Sequence, residues 1–180
     1  MAVLAENRSG LKFELRAESM SSTPQNKLIR VAFRPAVDQD FDYCRRLYFA
    51  EMKWIIEQLH LDREAQDVSF ERHWHTGQVR ILVLDGVDIG WIQTIAQNSE
   101  YFVAQIVVDR SFQRKGIGTE VMKRLISEAA RANRVVRLNV VKINPARRLY
   151  ERLGFQVVHQ DDRKLYMELD PARAAARLAD

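Results

Sequence analysis

The stretch Gln113-Arg114-Lys115-Gly116-Ile117-Gly118-Thr119 constrains this chain more than any other. It begins just after a short β-branched run, Val103-Ala104-Gln105-Ile106-Val107-Val108-Asp109. Beyond it, Val121, Met122, Leu125, Ile126 and Ala129 recur at the spacing of one helix face. A strand, a turn with two glycines and a helix N-terminus together form an anion site. The glycines let the backbone approach a ligand, and the unpaired N–H groups of the first helical turn point at it. Arg114 and Lys115 add positive charge. The expected ligand carries phosphate, against the plainer use of such glycines in a tight turn.

Spacing excludes two phosphate motifs. A P-loop needs four residues between its glycines and a Lys-Ser/Thr pair after the second, and neither is present. A dinucleotide fingerprint needs a third glycine where Val121 stands.

A second block, Asn144-Pro145-Ala146-Arg147-Arg148-Leu149-Tyr150-Glu151-Arg152-Leu153-Gly154-Phe155, has the layout of a short capped helix. Asn144 suits the N-cap, Pro145 the first helical position and Gly154 the C-cap. Ala146, Leu149, Tyr150 and Leu153 fall on one apolar face. On these grounds alone Tyr150 is a packing residue of an amphipathic helix.

Gln-x-x-Gly-x-Gly between a strand and a helix resembles the acetyl-CoA pyrophosphate loop of the GNAT N-acetyltransferases. The second block looks like that family's other signature, Asn-x-x-Ala-x-x-x-Tyr-x-x-x-Gly-Phe. With the intervening helix the resemblance covers about residues 101 to 169, and more loosely it runs back to about 28. It implies an α/β fold, a mixed twisted sheet of about six to seven strands flanked by helices. It also implies direct transfer of an acetyl group from acetyl-CoA, as co-substrate, to a primary amine of a small molecule or protein.

The resemblance carries roles with it. The pantetheine arm would run along Ile106, Val107 and Val108, bonding to the backbone as an added strand does. The pyrophosphate would rest on N–H groups in the run Gln113, Arg114, Lys115, Gly116, Ile117, Gly118 and Thr119. Asn144 would contact the coenzyme near its pantetheine part. A main-chain N–H near Val108 would stabilise the oxyanion, and Tyr150 would protonate the departing thiolate. Some relatives take their base from a glutamate early in the pantetheine strand, which points to Glu100; a base acting through ordered water is the alternative. Gln105, in mid-strand, cannot be a base. The other reading is a non-catalytic acyl-CoA sensor on the same fold.

Composition bounds the rest. At 180 residues, with 47% hydrophobic and 29% charged, the chain suits one soluble domain. No apolar run approaches the ~20 residues of a membrane span. The lone Cys44 cannot form an internal disulfide and fits a cytoplasmic protein. A net charge of +4 without a nucleic-acid motif gives no reason to expect nucleic acid; the resemblance implies acetyl-CoA and an amine as partners, with a homodimer admitted and no membrane. His73-Trp74-His75 lacks a third ligand nearby, so no metal is expected. Trp54, Trp74 and Trp91 are expected in the core. Glu51, Glu57, Glu64 and Asp67 lie where relatives build the acceptor pocket.

Along the chain, residues 1–26 are expected as an extension, 27–170 as the catalytic domain and 171–180 as a tail. Met20 is an alternative start. Strands are expected at Leu28–Phe33, Val79–Leu84, Val87–Ala96, Tyr101–Val108, Val135–Val141, Phe155–Val158 and Lys164–Leu169. Asp85-Gly86 marks a hairpin. Helical stretches are expected from Asp38, as a cap, to about Thr76, with Gly77 as the stop, and at about 119 to 132.

Overall fold

A computed structural model describes residues 30–97 and 99–170. The expected extension, the alternative start at Met20 and the tail lie outside them. Seven strands form one sheet in the order β1-β2-β3-β4-β5-β7-β6. They are β1 (Ala32–Pro35), β2 (Val79–Leu84), β3 (Val87–Ala96), β4 (Glu100–Val108), β5 (Val135–Val141), β6 (Gln156–Gln160) and β7 (Lys164–Leu169). All neighbours are antiparallel except β4 and β5. Helices α1 (Phe41–Gln58) and α2 (Arg63–His73) cover one face, and α3 (Ile117–Arg131) and α4 (Arg147–Leu153) the other. The expected mixed sheet with flanking helices is present.

Each face has its own core. On the α3–α4 side Val121, Met122, Leu125, Ile126 and Ala129 pack against Ile92, Val103, Leu138 and Met167. On the α1–α2 side Cys44, Leu47, Phe49 and Phe70 pack against Ile81, Trp91 and Val107. Cys44 is a packing residue, as expected, and is fully buried. Trp91 is likewise buried, but Trp54 is 41% exposed, because it lies on the outer side of α1. The Asp85-Gly86 hairpin is confirmed, with both residues at positive φ (50° and 81°), as a tight two-residue turn demands.

Several boundaries differ from the sequence reading. The first strand begins at Ala32, where pairing to β2 begins, and ends at Pro35, tolerated because β1 is an edge. Asp38 does not cap α1. It accepts from the Thr76 hydroxyl (2.9 Å), and Asp40 closes the turn by accepting from the Val37 N–H (2.9 Å). The acidic side chain of Asp40 is also held by Arg34 (2.8 Å), which keeps its carboxyl below the usual range. The second helix stops at His73, before Gly77, since Trp74 is already extended. Phe155 precedes β6 rather than opening it.

The feature that matters most for a ligand is the course of β4. Gln105 pairs with Gln93 and Val103 with Thr94, so Ala104 is an extra residue, a bulge. One inserted residue shifts the alternation of side chains. Val103 therefore points into the α3–α4 core while Val107 points into the α1–α2 core. The bulge also bends the strand. Beta-four pairs with β5 only from Glu100↔Val135 to Val103↔Leu138. Past that point β4 stays with β3 and β5 stays with β7, leaving a gap between two parallel strands.

Candidate active site

The gap has unpaired backbone groups along one wall. Asp109 donates its N–H to the Ile89 carbonyl in β3 (2.8 Å). Donor direction alternates along a strand, so the N–H groups of Ile106 and Val108 turn the other way, into the gap. Val107 turns back to β3. Of the three residues expected beside the arm, two therefore offer donors and the third secures the strand.

The gap opens toward the loop after β4. Arg110–Phe112 form one 3-10 turn, capped by Asp109, which accepts from the Ser111 N–H (2.8 Å). Arg114 and Gly116 then take positive φ, 60° and 85°. This left-handed geometry costs glycine nothing, but it strains Arg114 unless a neighbour imposes it. Gly116 is the N-cap of α3, and its carbonyl accepts from the Glu120 N–H (3.0 Å). The N–H groups of Ile117, Gly118 and Thr119 are those the helix leaves without internal partners. Gly118 has a second use. A Cβ there would lie 3.2 Å from Leu149 Cδ2, so the absence of a side chain lets α3 and α4 pack together. The loop and the second motif thus meet directly.

Gln113 reaches inward rather than outward. Its Nε2 donates to the Val108 carbonyl and to Glu51 Oε2, both at 2.7 Å. Glu51 also accepts from the Arg110 N–H (3.1 Å). Helix α1 is thereby tied to the end of β4 and to the loop. Of the other acidic residues in this region, Glu57 pairs with Lys53, Asp67 with Arg45, and Glu64 lies in the first turn of α2.

The second motif enters its helix differently from the expected pattern. The family signature separates its asparagine and alanine by two residues; here Pro145 alone lies between Asn144 and Ala146. The shorter spacing is absorbed by a tight turn. Asn144 Oδ1 accepts from the Ala146 N–H (2.9 Å), and three successive bonds of i to i+3 type carry the chain to Leu149. Regular helix starts at Arg147 rather than at Pro145. Asn144 still does a cap's work. Gly154 ends the helix at φ 98°, as expected.

Tyr150 is 6% exposed, with its ring edge-on to Phe155 at 5.9 Å. No described residue hydrogen-bonds its hydroxyl, yet the oxygen is not sealed in. Burial pushes its pKa up to about 12. Burial also raises Tyr43 to about 12, helped by nearby Asp88, and Cys44 to about 12. All three groups lose their protons more readily in the unfolded chain. That chain binds fewer protons in alkali, so stability must fall as pH rises. The expected result is a melting temperature that declines from pH about 9, the ordinary thiol value, toward about 12. Thermal melts across that interval check it, and a flat profile would contradict the burial of these groups.

Glu100 is placed away from the loop. It opens β4, eight residues before Val108 and roughly 27 Å away along an extended strand. Its carboxylate accepts from Arg137 Nη1 (2.5 Å), and Arg137 also binds Glu168 (2.9 Å). No group of three or more potential metal ligands occurs among the described residues, where His73 Nδ1 donates to the Ser69 carbonyl (2.7 Å). No helix among them is long and apolar enough to cross a membrane.

A bulged strand splayed from its parallel neighbour, ending in a glycine loop at a helix N-terminus, is matched by sequence. The profile of the acetyltransferase (GNAT) family fits residues 41–155. The chain belongs to the GNAT family. Solved structures share the fold. The PaiA N-acetyltransferase of Thermoplasma acidophilum, in complex with coenzyme A, is 16% identical with a TM-score of 0.65, over 79% of this chain and 99% of that one. The ribosomal-protein-S18-alanine N-acetyltransferase of Escherichia coli is 21% identical with a TM-score of 0.57, over 78% and 94%. PH1933 of Pyrococcus horikoshii is 18% identical with a TM-score of 0.63, over 78% and 98%. A comparison with curated proteins finds no match. This GNAT protein is thus a member of an acyltransferase family.

Proposed function

We propose that this GNAT protein transfers an acetyl group from acetyl-CoA to a primary amine, with Tyr150 as proton donor to the coenzyme thiolate. The observation that carries the reading is the gap beside β4. It opens where β4 and β5 cease to pair and offers the Ile106 and Val108 N–H groups to an extended arm carrying amides. The pyrophosphate then meets the N–H groups from Arg114 to Thr119 and the charges of Arg114 and Lys115.

In the reaction the amine nitrogen forms a bond to the thioester carbon, and the carbonyl electrons move to oxygen. An N–H turned into the gap, from Ile106 or Val108, stabilises that charge. Collapse breaks the C–S bond and expels the thiolate. Tyr150, protonated at neutral pH, donates to the sulfur. Its high pKa makes complete transfer uphill, so the proton lost by the new C–N nitrogen completes the balance. The products are an N-acetyl amine and free coenzyme thiol.

The ion pair of Glu100 with Arg137 favours removal of the amine's first proton through ordered water, not by Glu100 directly. Glu100→Gln is accordingly the measurement that separates the two bases: an unchanged rate supports water.

Two experiments test the reading. Incubation with acetyl-CoA and a panel of amines should release free thiol. Acetyl-CoA that binds without any release would leave a sensor. In the second, acetyl-CoA should raise the melting temperature. Arg114→Glu combined with Lys115→Glu should weaken binding at least tenfold, about 1.4 kcal/mol. Unchanged affinity in that variant, measured by calorimetry, would remove the loop from the coenzyme site.

A further inference from the structure

The face of β4 turned toward α1 and α2 carries a cavity of about 70 Å3, lined by Tyr48, Phe70, Trp74, Gln93 and Gln105 among others. A larger hollow of about 440 Å3 runs beside α2 between Asp62 and Arg72, with no strand residue in its wall. The smaller cavity is the one that touches β4.

We propose that this cavity receives the acceptor as a primary amine on a short uncharged carbon chain, with the nitrogen hydrogen-bonded to the Gln105 side chain. The proposal rests on the acetyltransferase reading above and names the acceptor class for the same site.

Position comes first. A coenzyme whose pyrophosphate lies at Arg114–Thr119 and whose arm follows β4 must run backward along the strand, from Val108 toward Ile106. Its acyl end arrives where β4 and β5 close together, just before Val103↔Leu138. Gln105 is the residue beside that point, and its side chain leaves the strand on the cavity side. An amine bound to it approaches the thioester from the α1–α2 face.

Three glutamines line the cavity, and Gln66 lies on α2, away from the strand that would carry the coenzyme; the two on the sheet differ in a telling way. Gln93 and Gln105 are directly opposed on β3 and β4. Gln93 is 4% exposed, and its Nε2 is spent on the His73 carbonyl (2.7 Å) and Gln78 Oε1 (3.2 Å). The Gln105 amide has no partner among the described residues, though it is only half-exposed. An amide oxygen can accept from an amine, and this one has no competing bond.

Charge defines the class. Tyr48, Phe70 and Trp74 present aromatic rings, which attract an ammonium group. Among the described residues the lining holds no carboxylate, lysine or arginine, and its one imidazole, His73, donates from Nδ1 to the Ser69 carbonyl. The nearest acids on α1 and α2 are engaged, Glu51 with the Arg110 N–H and Gln113, Asp67 with Arg45. A second ammonium near the first would lack a counter-charge, and a carboxylate next to the amine would lack a cation. Short diamines and free α-amino acids are therefore poor fits.

Steady-state rates with acetyl-CoA should be compared for butylamine, 1,4-diaminobutane and glycine. Butylamine is expected to show the highest kcat/KM. Gln105→Leu should raise its KM at least tenfold, with the acetyl-CoA Kd within twofold of wild type. Gln105→Glu keeps an acceptor oxygen and adds a counter-charge, so it should not raise the KM. An unchanged KM in Gln105→Leu, or a preference for the diamine or glycine, overturns the proposal while the acetyltransferase reading stands. Wild-type protein that binds acetyl-CoA but acetylates none of the three nor any other amine overturns both.

Discussion

Replacing Tyr150 by phenylalanine is expected to lower turnover by ~10²-fold, the lower part of the range for a lost general acid, while acetyl-CoA binds almost as before. The ring stays, so the packing of α4 on Phe155 and the α3–α4 core stays with it. Only the hydroxyl leaves. Because that hydroxyl has no hydrogen-bond partner among the described residues, its removal strands no donor or acceptor there. Stability should hold or rise slightly. A purely structural tyrosine predicts the same melting temperature but an unchanged rate, so the steady-state rate decides. Normal turnover in Tyr150→Phe would leave water as the source of the thiolate's proton. The variant also bears on the alkaline melts, since it removes one of the three groups raised to about 12 and should flatten the profile in proportion.

The largest expected loss of stability belongs to a residue far from any motif. Gly90 in β3 lies against β4 so closely that an added Cβ would stand 2.2 Å from the Val107 carbonyl oxygen and 3.0 Å from Val108 Cα. Both neighbours are backbone, so no side chain can swing aside. Gly90→Ala must push β3 and β4 apart or distort them, at a cost of about 3 kcal/mol, the upper range for overpacking. Displaced from β3, β4 would move into the gap on its other side, narrowing it, and acetyl-CoA binding should weaken. Denaturant melts and calorimetry measure the two effects. A melt equal to wild type would mean that the strands are not so close.

The strands and the two motifs could be read from the chain because their signals are local. Alternating β-branched residues, the Asp85-Gly86 turn and the face of Val121, Met122, Leu125, Ile126 and Ala129 need only near neighbours to show themselves. Caps were harder. Asp38 and Asp40 are both good cap residues, and only the distant partners Thr76 and Arg34 decide which does what. The role of Gly118 shows the same limit. Its loop position suggested ligand approach, but contact with Leu149, thirty-one residues on, is visible only once α3 and α4 are packed. Gln113, expected beside the coenzyme, is also a brace between the end of β4 and Glu51 of α1, a contact that no local signal announces. Ala104 carried no sequence signal at all. A bulge is a mismatch of register between two strands, and one strand's sequence does not contain it. Trp54 was placed in the core from residue type alone, whereas helix phase puts it outside.

That single extra residue in β4 separates recognition from side-chain identity. The gap it opens greets a ligand with peptide groups, which every amino acid but proline supplies alike. The side chains of Ile106 and Val108 remain packed against the α3–α4 core, where they answer only to shape. On the proposed reading one stretch of chain serves two masters without conflict, the coenzyme through its main chain and the core through its side chains. Mutational drift among β-branched residues at 106 and 108 should leave coenzyme affinity untouched, which makes this wall of the site tolerant of change where the glycine loop beside it is not.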